Sequence, residues 1–98
     1  LRQELMTKEL WQSIGQCLSK FHQQGIAHKD LNIENIQIDD NDKVFFLDFD
    51  KTRFSKSSPE ILGANLRRLR KSILKLTLLR NQDFPEKGWI DLVSATSY

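Results

Sequence analysis

His28-Lys29-Asp30-Leu31-Asn32-Ile33-Glu34-Asn35 runs directly into Ile36-Gln37-Ile38, Asp39-Asp40-Asn41-Asp42-Lys43, Val44-Phe45-Phe46-Leu47 and Asp48-Phe49-Asp50. Residues 36–38 alternate apolar and polar, residues 44–47 are a short apolar run, and the five residues between are turn formers, so 36–47 reads as a β-hairpin. A calcium loop beginning at Asp39 fails, because Lys43 and Val44 stand where an oxygen ligand and a glycine are needed. Asn35 precedes the first strand and Asp48 follows the second, so an antiparallel hairpin makes them neighbours at its open end, roughly 5 Å apart. A carboxamide oxygen and a carboxylate at that separation suit one hard cation, with magnesium about 2.1 Å from each oxygen. Asp30, five residues before Asn35, faces the same point, where a carboxylate can orient an attacking hydroxyl or accept its proton.

The flanking sequence supplies helices. Leu10, Ile14, Cys17, Leu18 and Phe21 recur at spacings of three and four, which predicts an amphipathic helix over about 4–24. Gly25 is placed to end it in the left-handed conformation. Cys17 on that face reads as a small buried hydrophobe. Ser58-Pro59-Glu60 is a helix start, with proline at the first helical position and an acid in the first turn. The stripe Leu62, Leu66, Leu69, Ile73, Leu76 and Leu79 carries that helix over about 59–80, and a last helix over about 85–95 packs through Trp89, Leu92 and Val93.

Composition bounds the whole. The chain has 98 residues, 39% apolar and 29% charged, which is one folding unit and counts against disorder or a collagen-like repeat. Its longest apolar runs are four residues, far short of the about 20 that span a bilayer. Arg2, Glu4, Lys8 and Glu9 interrupt the opening residues, which do not read as a signal peptide. A lone cysteine cannot close an internal disulfide and points to a reducing compartment. The net charge of +2 is uneven: residues 1–50 carry −4, residues 51–80 carry +8 and residues 81–98 carry −2. A basic block of that size either forms a solvated helix face or meets an anionic partner. The Arg67–Arg80 helix lacks interleaved aromatics and a recognition-helix motif, so no nucleic acid is expected. His22 and His28 with Asp30 have no zinc-ligand spacing.

HKDLNIEN at 28–35, followed 13 residues after Asn35 by Asp48-Phe49-Asp50, resembles the catalytic half of the protein-kinase-like superfamily in residue types and in spacing. The resemblance implies an α+β fold: a mainly helical C-terminal lobe with a small β-hairpin at the catalytic and metal loops. It implies catalytic loop 28–35, hairpin 36–47 and metal loop 48–50, with Asp30 catalytic, Asn35 and Asp48 binding Mg2+, and His28 and Phe49 supporting the site. Asn32 stands where protein kinases carry a lysine, and Ser58-Pro59-Glu60 begins only ten residues after Asp48, too soon for a peptide-binding segment.

Asp-Leu-Asn-x-x-Asn, Phe-Leu-Asp-Phe-Asp-Lys and Asn65-Leu66-Arg67-Arg68-Leu69-Arg70-Lys71-Ser72 are similar to the lipopolysaccharide kinases of the Kdo/WaaP family over most of residues 10–80. Asp50, in place of the usual glycine, agrees with that family. The resemblance implies transfer of the ATP γ-phosphate to the 4-hydroxyl of a 3-deoxy-D-manno-octulosonic acid (Kdo) residue on the glycolipid Kdo-lipid A. It further implies a cytoplasmic protein, peripheral on the inner membrane. Lys51 and Arg53, next after the metal loop, are the expected contacts to an anionic substrate. A small-molecule kinase resembling the aminoglycoside phosphotransferases and a non-catalytic pseudokinase are the competing readings. The four glycines, Gly15, Gly25, Gly63 and Gly88, form no phosphate-cradling pattern, so the N-terminal lobe is expected to be absent and the chain alone inactive. Apolar residues near Ile26 and Phe49 are expected to lose their cover, promoting self-association or low stability.

Overall fold

The computed structural model describes residues 6–28, 31–47, 51–53 and 59–96. The order is helix α1 (Lys8–Gln23), strand β1 (Ile26–His28), a 3-10 turn (Ile33–Asn35), strands β2 (Ile36–Ile38), β3 (Val44–Phe46) and β4 (Lys51–Arg53), then helices α2 (Pro59–Leu79) and α3 (Glu86–Ala95). The arrangement is α+β, mostly helical, with two small antiparallel ladders. Among the described residues, no helix is long and apolar enough to cross a membrane.

Helix α1 begins later than its apolar spacing predicts. Thr7 is extended, and its Oγ1 accepts from the Leu10 amide at 3.2 Å, satisfying one of the free amides of the first turn. The expected positions 4 and 5 lie outside the described residues. Gly25 ends the helix at φ 74°, as its placement predicts. Leu10, Ile14 and Leu18 are buried as expected and Trp11 joins them, while Cys17 and Phe21 are half-buried. Burial pushes the Cys17 thiol above its ordinary pKa, and the Lys20 ammonium offsets part of that rise.

The stripe of α2 holds at Leu62, Leu69 and Ile73, with Leu66 and Leu76 partly buried. Leu79 departs from it, at 75% exposed. The inward position one turn past Ile73 goes to Thr77, whose buried hydroxyl donates to the Leu74 carbonyl at 2.8 Å and is thereby satisfied. Leu79 lies two residues farther round, at the helix end. In α3 the inward face is Gly88 and Leu92. Val93, predicted to pack, is 37% exposed, because one residue turns a helix by about 100°.

Helices α1 and α3 cross closely. A methyl group on Gly15 would meet the backbone carbonyl of Leu92, and one on Gly88 would meet the indole of Trp11. The hairpin rests on α1 through Phe21 and Phe46, whose ring centroids are 5.5 Å apart. Ile26, expected to lack cover, is buried. Phe49 lies outside the described residues.

Candidate active site

The hairpin forms with the register Ile36↔Phe46, Gln37↔Phe45 and Ile38↔Val44. Its turn depends on Asp39, whose Oδ1 accepts from the amides of Asn41 at 2.9 Å and Lys43 at 2.8 Å, while Asp42 takes φ 60°. An aspartate folding its own backbone in this way is common turn chemistry. The Leu47 amide donates to the Asn35 carbonyl at 2.6 Å, so the residue opposite Asn35 is Leu47. Asp48, expected opposite Asn35, is one residue farther along the chain.

A second ladder, which the sequence did not predict, pairs Ile26↔Arg53, Ala27↔Thr52 and His28↔Lys51. It places the backbones of the two predicted substrate contacts, Lys51 and Arg53, beside the strand that precedes residues 29–35. The two ladders together bracket the same two stretches. Residues 29–35 connect β1 to β2, residues 47–50 connect β3 to β4, and the strands are paired at both ends. Asp30, Asp48 and Phe49, with the side chains of His28, Lys51 and Arg53, lie outside the described residues. Their segments nonetheless leave and enter paired strands side by side.

Between the ladders the loop is pinned by alternation. Leu31, Ile33 and Ile36 are buried at 2%, 1% and 3% exposure, whereas Asn32 and Glu34 point outward. Asn32, at the position of the absent lysine, caps the 3-10 turn: its Oδ1 accepts from the Glu34 amide at 2.9 Å. The half-buried Asn35 carboxamide has no hydrogen-bond partner among the described residues. Leu47, paired with Asn35, is the last described residue before Asp48.

Helix α2 fixes this turn from below. Ser72 Oγ accepts from the Ile33 amide at 2.9 Å and donates to the Leu69 carbonyl at 2.8 Å. The sequence contains Ser72 only as part of a motif, and a serine in mid-helix gives no sign that it reaches 39 residues back along the chain. Ser72→Ala leaves the partly buried Ile33 amide without its acceptor, a loss of about 1–3 kcal/mol. The expected outcome is a lower urea midpoint and faster amide exchange at Ile33, with Ser72→Thr recovering most of both.

Residues 2–96 match the model of the lipopolysaccharide kinase (Kdo/WaaP) family. Among curated proteins, the chain is 39% identical over 97 residues to a 3-deoxy-D-manno-octulosonic acid kinase of Vibrio parahaemolyticus, covering 99% of this chain and 40% of that protein. It is 39% identical over 98 residues to the protein of that name from Haemophilus influenzae (97% of this chain, 40% of that one), and 40% identical over 92 residues to the one from Mannheimia succiniciproducens (91% and 38%). The chain thus spans about 40% of the length of the curated relatives it matches. No solved structure matches it.

Proposed function

This chain belongs to the lipopolysaccharide kinase (Kdo/WaaP) family, and from that premise we propose that the whole protein phosphorylates the 4-hydroxyl of Kdo on Kdo-lipid A, using ATP. The work belongs to lipopolysaccharide inner-core biosynthesis, at the cytoplasmic face of the inner membrane. In this reading residues 1–98 are the C-terminal lobe of a protein-kinase-like domain.

The observation that carries the reading is the pair of ladders, His28↔Lys51 and Ile36↔Phe46, that holds the ends of the catalytic-loop segment against the ends of the metal-loop segment. In the proposed chemistry the Asp30 carboxylate orients the Kdo hydroxyl and accepts its proton as the oxygen bonds to the γ-phosphorus. The bond from the γ-phosphorus to the bridging oxygen breaks, and ADP leaves. Asn35 and Asp48 are hard oxygen donors of the kind magnesium takes, and the Asn35 carboxamide, without a hydrogen-bond partner among the described residues, fits that role. Bound there, Mg2+ would neutralise charge on the phosphate oxygens.

The glycines also support the prediction that residues 1–98 alone do not transfer phosphate. Gly15 and Gly88 serve the α1–α3 crossing and Gly25 ends α1, so these three serve packing and capping instead of cradling phosphate.

The test uses the whole protein with γ-labelled ATP, Mg2+ and Kdo-lipid A, beside residues 1–98 alone. Label on the lipid, dependent on Mg2+ and absent with residues 1–98, is the expected result. Transfer only to a soluble sugar would replace the lipid assignment with a small-molecule kinase. Absence of transfer to any acceptor would make the protein a non-catalytic module.

A further inference from the structure

Along α2, next to the catalytic loop, runs an open groove of about 570 Å³. Its cationic wall is Arg68, Lys71 and Lys75, at spacings of three and four that align them on one helix face. Its apolar wall is Leu74 and Leu78, 39% and 72% exposed, and buried Leu31, the residue after Asp30, also lines it. None of the three cations forms an ion pair with a described residue. Arg70 shows what an α2 cation does when it serves the fold. It turns away from the groove, its guanidinium 4.6 Å from the centre of the Phe84 ring and 3.7 Å from the Glu86 carboxylate.

We infer that this groove holds the phosphorylated, acylated end of the acceptor glycolipid, with a lipid A phosphate on Arg68, Lys71 and Lys75 and an acyl chain along Leu74 and Leu78. The inference rests on the proposed function and adds a site to it. Three cations on one face, none of them ion-paired with a described residue, match a phosphate monoester, which carries about −1.5 to −2 charges at neutral pH. Exposed leucines beside them have no use for a phosphate alone, but they shield a methylene chain from water. The leucines become more exposed with distance from the loop, from Leu31 at 2% through Leu74 to Leu78. That order suits a ligand whose reacting sugar lies at the loop and whose lipid leads outward. A nucleotide would have no partner for the leucine wall, and the groove lacks the aromatic rings on which nucleic-acid bases stack.

The test compares the whole wild-type protein with Arg68→Ala/Lys71→Ala/Lys75→Ala and with Leu74→Asn/Leu78→Asn. The acceptors are Kdo-lipid A, its dephosphorylated form and a soluble Kdo glycoside. The first variant is expected to lower the preference in kcat/KM for Kdo-lipid A over the soluble glycoside by about tenfold or more, as loss of charge-assisted hydrogen bonds does. The second is expected to lower it severalfold. The first variant's deficit should vanish with the dephosphorylated lipid, and Arg67→Ala/Lys87→Ala, which removes charge outside the groove, should leave the preference unchanged. Equal loss with Arg67→Ala/Lys87→Ala, or loss only of vesicle binding with the preference intact, would make the surface a general membrane contact and overturn the groove. A raised KM for ATP in the first variant would assign the cations to the nucleotide and overturn it equally. Direct titration with fluorescent Kdo-lipid A separates the two readings. Binding that needs the three cations without any transfer would keep the groove and refute the kinase, whereas transfer unaffected by the variants would keep the kinase and refute the groove.

Discussion

Asp30→Asn in the whole protein is expected to lower kcat by about 10²–10⁴-fold, the usual contribution of a positioned general base, with little change in the KM for ATP. Asparagine keeps the size and hydrogen-bonding capacity of the side chain but cannot take a proton at neutral pH. Its cost should therefore fall on the transition state, where the Kdo oxygen bonds to phosphorus, and not on substrate binding. Asn35→Ala is expected to behave differently, raising the Mg2+ concentration needed for half-maximal rate, because it removes an oxygen donor and leaves the proton acceptor in place. Steady-state assays over a Mg2+ series distinguish the two. If Asp30→Asn kept its rate within tenfold of wild type, Asp30 would lose its place in the chemistry.

Gly15→Ala is expected to destabilise the fold by about 1–3 kcal/mol, the ordinary range for overpacking a close contact. A solvent-exposed glycine in mid-helix would respond in the opposite sense, since alanine is the better helix former by about 1 kcal/mol. At Gly15 the new methyl group would meet the Leu92 carbonyl, which is backbone of another helix and cannot rotate aside. Leu92 is fully buried, so relief requires moving α3 as a body. Gly88→Ala should act in the same direction by pressing on the Trp11 indole. Gly63→Ala is the internal control: its methyl group would lie 3.3 Å from a terminal nitrogen of Arg67, a flexible group that can move. That variant is expected to be neutral or stabilising by up to about 1 kcal/mol. Urea or thermal unfolding of the three variants reads the contrast directly, and a Gly15→Ala protein as stable as wild type would mean that the helices tolerate wider separation.

The parts legible in the sequence were those with local periodicity or local turn chemistry. The β2–β3 hairpin was readable because apolar pairs flank a cluster of aspartates, and Gly25 marked the end of α1 by its conformational freedom. The α2 stripe was readable to Leu76 but not at its end, where Thr77, a residue scored as polar, takes the inward position. The β1–β4 ladder was not readable. Three-residue strands carry almost no pattern of their own, and Lys51-Thr52-Arg53 contains nothing apolar. The role of Ser72 is illegible in the sequence for a related reason: its partner, the Ile33 amide, is set by how α2 packs under the loop, and backbone partners leave no trace in side-chain identity. Of the site itself, the sequence offers the residue types and their spacing; the structure sets Leu47 opposite Asn35, and Asp30 and Asp48 lie outside the described residues.

The nesting of the two ladders has a consequence for the order in which the chain folds. Bringing His28 to Lys51 directly would close a loop of 22 intervening residues (29–50), whereas with the hairpin already zipped only 11 of them (29–35 and 47–50) remain to be closed. Halving a loop lowers its closure cost by about 0.6 kcal/mol. For three backbone pairs that difference favours forming the inner ladder first. The Asp39 turn, at the far tip of the hairpin, is then the place where pairing of all four strands begins.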